Sequence, residues 1–181
     1  MIEKRQKSVS KFLSLHLRHA PHELGLSLEP GGWVAIDALL EVARLKGFPI
    51  TREELDRVVA GSDKQRFAID ESGLKIRANQ GHSVEVDLQL TPSEPPAELF
   101  HGTGSGSVES ILAEGLARRA RHHVHLSPDT ETATKVGARH GKPVVLVIDA
   151  AKMRADGRVF FCSANGVWLV DEVPPQYLRL R

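Results

Sequence analysis

Apolar residues in the first half of the chain recur at helical spacing and then alternate, whereas the second half is built mainly of short alternating runs. Val9, Phe12, Leu13, Leu17 and Ala20 share one face of a predicted helix that Pro21 closes. A second helix fits 36–46, stopped at Gly47, the position after a helix end where glycine is favoured. Thr51-Arg52-Glu53-Glu54 has the spacing of a capping box, and Leu55, Val58 and Val59 form the apolar stripe behind it, before Gly61. Two alternating runs, 66–70 and 74–77, flank Glu71-Ser72-Gly73 and predict a hairpin.

The proline-dense stretch Thr91-Pro92-Ser93-Glu94-Pro95-Pro96 cannot continue a helix or a central strand and reads as a linker. Beyond it, strands are predicted at 98–101, 122–126, 144–149, 159–162, 167–170 and 177–180, with Asn165-Gly166 as a hairpin turn between two of them. Helices fit 107–114, ending at Gly115, and 128–139, with Ser127 as cap and Pro128 at the first helical position. The expected class is α+β, in two lobes spanning 1–90 and 97–181. Three helices and a hairpin in the first lobe are the element order of a winged helix, a fold that often binds nucleic acid but does not by itself establish that role. No glycine-rich loop of the Rossmann or Walker type is present.

Composition narrows the function classes more than it selects one. The chain has 181 residues, 41% apolar and 26% charged, an ordinary balance for a globular protein. Its longest apolar runs, such as Val144-Val145-Leu146-Val147-Ile148, are too short to span a bilayer, and its charged start lacks the core of a secretory signal. A lone Cys162 excludes an internal disulfide, so a cytoplasmic protein is expected. Net charge is +1, and neither lobe is basic overall. Any polyanion must therefore meet local clusters, of which Arg118-Arg119-Ala120-Arg121-His122-His123 is the densest.

Candidate chemistry concentrates in four places. In Arg121-His122-His123-Val124-His125-Leu126-Ser127, strand alternation sets Arg121, His123, His125 and Ser127 on one face, with Val124 and Leu126 behind. Phe100-His101-Gly102-Thr103 ends an apolar run with directional donors and a glycine that lets a ligand approach the backbone. Leu17-Arg18-His19 closes the first helix, where basic residues also simply favour the helix dipole. Arg66, in Lys64-Gln65-Arg66-Phe67, reads equally as an exposed strand residue. Together, Arg18, Arg66 and Arg121, with His19, offer the fixed donors that a phosphate dianion needs. His101, His123 and His125 are zinc-type ligands, but no cysteine or acid stands at a matching spacing, and no metal is expected. Cys162, Trp33 and Trp168 read as packing residues.

Five motifs in order, Leu15-His16-Leu17-Arg18-His19, Lys64-Gln65-Arg66-Phe67, His101-Gly102-Thr103, Arg121-His122-His123-Val124-His125-Leu126-Ser127 and Asn165-Gly166-Val167-Trp168-Leu169, make the chain resemble the RNA 2′-phosphotransferases over nearly its whole length. The resemblance implies a winged-helix RNA lobe joined to an ADP-ribosyltransferase-like NAD lobe. It implies a two-step reaction: the RNA 2′-phosphate displaces nicotinamide from NAD, and the 2″-hydroxyl of the new ADP-ribosyl group then displaces the RNA 2′-oxygen. The products are RNA with a free 2′-hydroxyl, nicotinamide and ADP-ribose 1″,2″-cyclic phosphate. Arg18, His19, Arg66 and Arg121 match the family's catalytic set. His101, Gly102, Thr103, His125 and Ser127 match its NAD side, with Asn165 and Gly166 beside them; His123 carries no role. Many ADP-ribosyltransferases place a glutamate on the late strand, where this chain has Gly166-Val167-Trp168; an ionised phosphate nucleophile needs no such base.

The expected partners are RNA bearing a 2′-phosphate and NAD, consumed as co-substrate, with no membrane, and a monomer is expected. Two other readings compete: an ADP-ribosyltransferase that caps nucleic-acid 5′-phosphate ends and stops after the first step, and a winged-helix regulator that senses NAD without turning it over. Retention of all four basic residues favours the full reaction.

Overall fold

A computed structural model describes residues 3–119 and 121–181 and divides the chain into two compact units, Met1–Gln89 and Leu90–Arg181. Helix and sheet are mixed in both, as the α+β expectation requires.

The first unit runs α1 (Glu3–Arg18), a 3₁₀ turn (Pro21–Leu24), β1 (Val34–Ala35), α2 (Ile36–Leu45), α3 (Arg52–Ala60), β2 (Phe67–Ile69) and β3 (Lys75–Ala78). Val9, Leu13 and Leu17 bury one stripe of α1 against Leu39, Leu55, Phe67 and Ile76, which explains why helical spacing was so legible here. The helix ends two residues earlier than the apolar pattern predicted, because Ala20 and Pro21 turn into the 3₁₀ segment. The capping box forms as predicted: Glu54 N donates to Thr51 Oγ1 and Thr51 N to Glu54 Oε2, each at 3.1 Å. The same Glu54 carboxylate accepts two bonds from Arg5 at 3.0 Å, tying α1 to α3, and Arg5 holds the Glu54 carboxyl below its usual range. The hairpin turns at Gly73 (φ +74°). Alternation did not reveal β1, a two-residue strand on the far side of β3.

The second unit contains β4 (Glu98–Gly104), α4 (Val108–Glu114), β5 (Leu116–Ala117), β6 (Val124–Leu126), α5 (Thr130–Gly137), β7 (Pro143–Asp149), α6 (Ala150–Ala155), β8 (Phe161–Cys162), β9 (Trp168–Val170), β10 (Glu172–Val173) and β11 (Leu178–Leu180). All pairings are antiparallel: β4 and β11 flank β7, β6 and β8 flank β9, and β5 pairs with β10. A core of Leu99, Leu126, Ile148, Met153 and Phe160 fills the unit.

Three expectations need correction. The fifth helix is capped by Asp129, whose carboxylate accepts from Thr132 N at 2.7 Å; Ser127 and Pro128 lie before it, with Ser127 engaged in strand pairing. Arg121, His122 and His123 precede the strand rather than belonging to it. The proline-dense segment is part of the second unit, where Ser93 N donates to Phe160 O at 2.8 Å and Pro92 bridges to Phe161. The strands β5 and β10 and the helix α6 were too short to leave a periodic signature.

Candidate functional site

Within the first unit, the end of α1 is fastened by the chain that leaves β3. A helix end leaves its last carbonyls without partners, and the Arg18 carbonyl finds them in Ser83 N at 2.9 Å and Val84 N at 3.4 Å. Gly81 (φ +88°) lies against the Arg18 side chain, where a Cβ would come within 3.5 Å of Nε and 3.6 Å of Cζ. The Arg18 side chain therefore passes close by the Gly81 backbone. His19 follows on the exposed side, its Nδ1 2.8 Å from the Ser83 hydroxyl.

Arg66 stands one residue before β2, half-buried, and its carbonyl accepts from Asn79 N at 2.9 Å. The buried Asn79 also donates Nδ2 to Gln65 O at 2.7 Å, and Gln65 holds φ +42°, sparsely populated for a side-chain-bearing residue. The five residues Asn79-Gln80-Gly81-His82-Ser83 thus run from the backbone of Arg66 to that of Arg18. Sequence reasoning passed over them. Their signal was available: a polar run with a glycine, directly after a strand, in which Asn79 and His82 are buried.

In the second unit, Phe100 and Ser127 exchange both backbone hydrogen bonds, at 2.8 and 2.7 Å, and this bridge joins β4 to the end of β6. It sets His101 beside His125. A backbone carbonyl only accepts, so His101 Nδ1 carries the proton in its 3.4 Å contact with His125 O. A guanidinium only donates, so His125 Nδ1 is the lone-pair nitrogen in its 3.1 Å contact with Arg121 Nη1. The geometry assigns both tautomers. Arg121 and His125 do meet, as strand alternation implied, although Arg121 reaches the site from the bend before the strand.

His123 points into a different environment, with Phe161 5.5 Å away between ring centroids and Asp171 at 4.0 Å. Among the described residues no three His, Cys, Asp or Glu side chains are gathered as for a metal ion, so the three histidines form no such set.

Gly102 and Thr103 are committed to packing. A Cβ on Gly102 would overlap the Ala133 carbonyl and lie 2.8 Å from Gly137 N, so the missing side chain is what lets α5 lie on β4. The absent side chain therefore serves the packing of the helix on the strand. Thr103 is buried, its hydroxyl 3.4 Å from Gly104 O. Asn165 and Gly166 form the predicted turn: Gly166 N donates to Ser163 O at 3.0 Å, Gly166 takes φ +79°, and Ser163 N donates to Val167 O at 2.8 Å. The Ser163 hydroxyl joins Asn165 Oδ1 and Val167 N. Burial raises the Cys162 thiol above its usual range, which disfavours a nucleophilic thiolate.

Burial depresses the pKa of His101, opposed by the His125 carbonyl and assisted by His140, and burial likewise depresses that of His123. Both rings are neutral at pH 7. In the unfolded chain they take up protons below about pH 6.5. The unfolded state therefore binds more protons on that side, and stability falls as pH drops below about 6.5 and levels off above it. Urea midpoints between pH 5 and 8 are expected to show this acid slope, and His101→Asn with His123→Asn to flatten it; an unchanged slope in the double variant contradicts the assignment.

A model of the RNA 2′-phosphotransferase, Tpt1/KptA family matches residues 4–172. Proteins named "Probable RNA 2′-phosphotransferase" are similar over nearly their full length. That of Nostoc punctiforme is 59% identical over 179 residues, covering 99% of each chain. That of Streptomyces griseus is 55% identical over 188 residues, covering all of both. That of Hahella chejuensis is 52% identical over 179 residues, covering 99% of this chain and 96% of its own. Matched by the family model over residues 4–172 and more than half identical to these relatives across nearly all of each chain, the chain belongs to the RNA 2′-phosphotransferase, Tpt1/KptA family.

Proposed function

We propose that the protein removes an internal 2′-phosphate from RNA with NAD as consumed co-substrate, through an ADP-ribosylated phosphate, releasing nicotinamide and ADP-ribose 1″,2″-cyclic phosphate. Family membership over nearly the entire chain carries this reading. We read the first unit as a winged-helix RNA-binding lobe and the second as an ADP-ribosyltransferase-like NAD-binding lobe acting in the cytoplasm. The helix–strand–helix–helix–strand–strand order of the first and the antiparallel, strand-rich second support it.

The residues present suit the two substrates. Arg18, Arg66 and Arg121 carry permanent positive charge and fork-shaped donors, matched to phosphate oxygens. In the first step they hold the 2′-phosphate for attack; in the second they stabilise charge gathering on its oxygens. His19, whose imidazole nitrogens can accept and donate a proton, serves the second step, when the 2″-hydroxyl gives up its proton and the RNA 2′-oxygen takes one. NAD brings the activated ribose carbon and the leaving nicotinamide. On its side, neutral His101 with Nδ1 occupied keeps Nε2 as an acceptor suited to a ribose hydroxyl. Ser127, bridged to Phe100, is the polar group next to it in the strand pairing, and we assign Gly102, Thr103, His125, Asn165 and Gly166 to the same substrate.

Incubation with a short RNA bearing one internal 2′-phosphate is expected to yield nicotinamide, the cyclic phosphate and 2′-hydroxyl RNA only when NAD is present. Phosphate release without NAD, or NAD binding with no nicotinamide, overturns the reading.

A further inference from the structure

We propose that Ser83 is a positioning residue that orients the His19 imidazole for the second step. The inference rests on the function proposed above. It begins from the 2.8 Å contact between Ser83 Oγ and His19 Nδ1, which joins residues 64 positions apart in sequence. His19 is exposed and sits just beyond the last turn of α1. Ser83 is held by its own backbone, since its N–H donates to the Arg18 carbonyl at 2.9 Å. One residue therefore fastens the helix end through its main chain and the neighbouring imidazole through its side chain.

The hydroxyl suits a proton-exchanging partner. Ser Oγ can donate to a bare Nδ1 and accept from a protonated one by rotating its hydrogen. It therefore keeps Nε2 presented to the substrate in both protonation states of His19. A carboxylate in its place would accept only and would favour the imidazolium. Gly81, two residues earlier, lies close to the Arg18 side chain, so this short segment borders both the guanidinium and the imidazole.

Alanine at 83 keeps the N–H that caps α1 and removes only the hydroxyl, which separates the two roles. Ser83→Ala is expected to slow consumption of the ADP-ribosylated RNA about tenfold, against roughly 10²-fold or more for His19→Ala. Nicotinamide release in the first turnover should stay near the wild-type rate. Ser83→Thr, with its hydroxyl retained and its added methyl at an exposed position, is expected to restore the rate to within about twofold. In a His19→Ala background, Ser83→Ala should add nothing. Long-range ¹H–¹⁵N spectra should show the His19 ring nitrogens shifted in Ser83→Ala and native-like in Ser83→Thr. A wild-type second step in Ser83→Ala, an additive double variant, or unchanged imidazole signals overturns the proposal. If the wild-type protein releases no nicotinamide from NAD and phosphorylated RNA, the proposed function fails by itself, and the imidazole spectra still decide whether Ser83 holds His19.

Discussion

Replacing Arg121 with alanine is expected to trap the RNA as its ADP-ribosylated intermediate. The first step asks little of any single arginine, because the phosphate is already an ionised nucleophile. The second builds charge on the phosphoryl oxygens, and loss of one fixed donor at such a centre typically costs about 10²–10³ in rate. Arg121 is exposed, and its Nη1 stands 3.1 Å from His125 Nδ1. Arg66→Ala should behave in the same way, since Arg66 is anchored through its main chain to Asn79 and the residue is only half-buried. Arg121→Lys should recover little, because an ammonium cannot reproduce a planar two-point grip. Single-turnover assays that resolve phosphorylated, ADP-ribosylated and 2′-hydroxyl RNA provide the check. Accumulation of untouched phosphorylated RNA, with nicotinamide release abolished, would place Arg121 in the first step instead.

The largest effect on stability is expected at Gly102. Any Cβ there collides with the backbone of α5, at the Ala133 carbonyl and the Gly137 nitrogen, and backbone cannot swing aside as a flexible side chain does. Gly102→Ala should cost more than about 3 kcal/mol, beyond ordinary overpacking. For a unit of this size that is a fall in melting temperature of more than about 10 °C. Gly106→Ala is the matched control. Its Cβ would meet nothing within 4 Å and its φ is not in the left-handed region, so a shift within about 2 °C is expected. Calorimetry of the two variants beside the wild type distinguishes a packing requirement from a general intolerance of side chains in this segment; equal melting temperatures would remove the helix contact as the reason for the glycine.

Much of the fold was legible because its signals are local. The α1 stripe, the Thr51–Glu54 box, the Gly73 turn and the Asn165-Gly166 turn each depend on residues within a few positions of one another. The misreadings have one cause. Ser127-Pro128 has the local chemistry of a helix start, yet Ser127 is taken by its pairing with Phe100, and Asp129 caps the helix. Two-residue strands such as β1, β5 and β10 exist only because a partner strand lies beside them, so no periodicity announces them.

The motifs by themselves determined the chemistry available: permanently charged forks at Arg18, Arg66 and Arg121, one proton-exchanging ring at His19, and polar groups from His101 to Ser127. Those are properties of residue types, which a chain displays in any conformation. Only the tertiary structure decided how they are held. The hydroxyl of Ser83 on His19, the backbone of Gly81 close by Arg18, the tautomers of His101 and His125, and the surrender of Gly102 to a helix all join residues distant in sequence. Hydrogen bonds and steric exclusion act through space over a few ångströms, and only folding brings such residues that close.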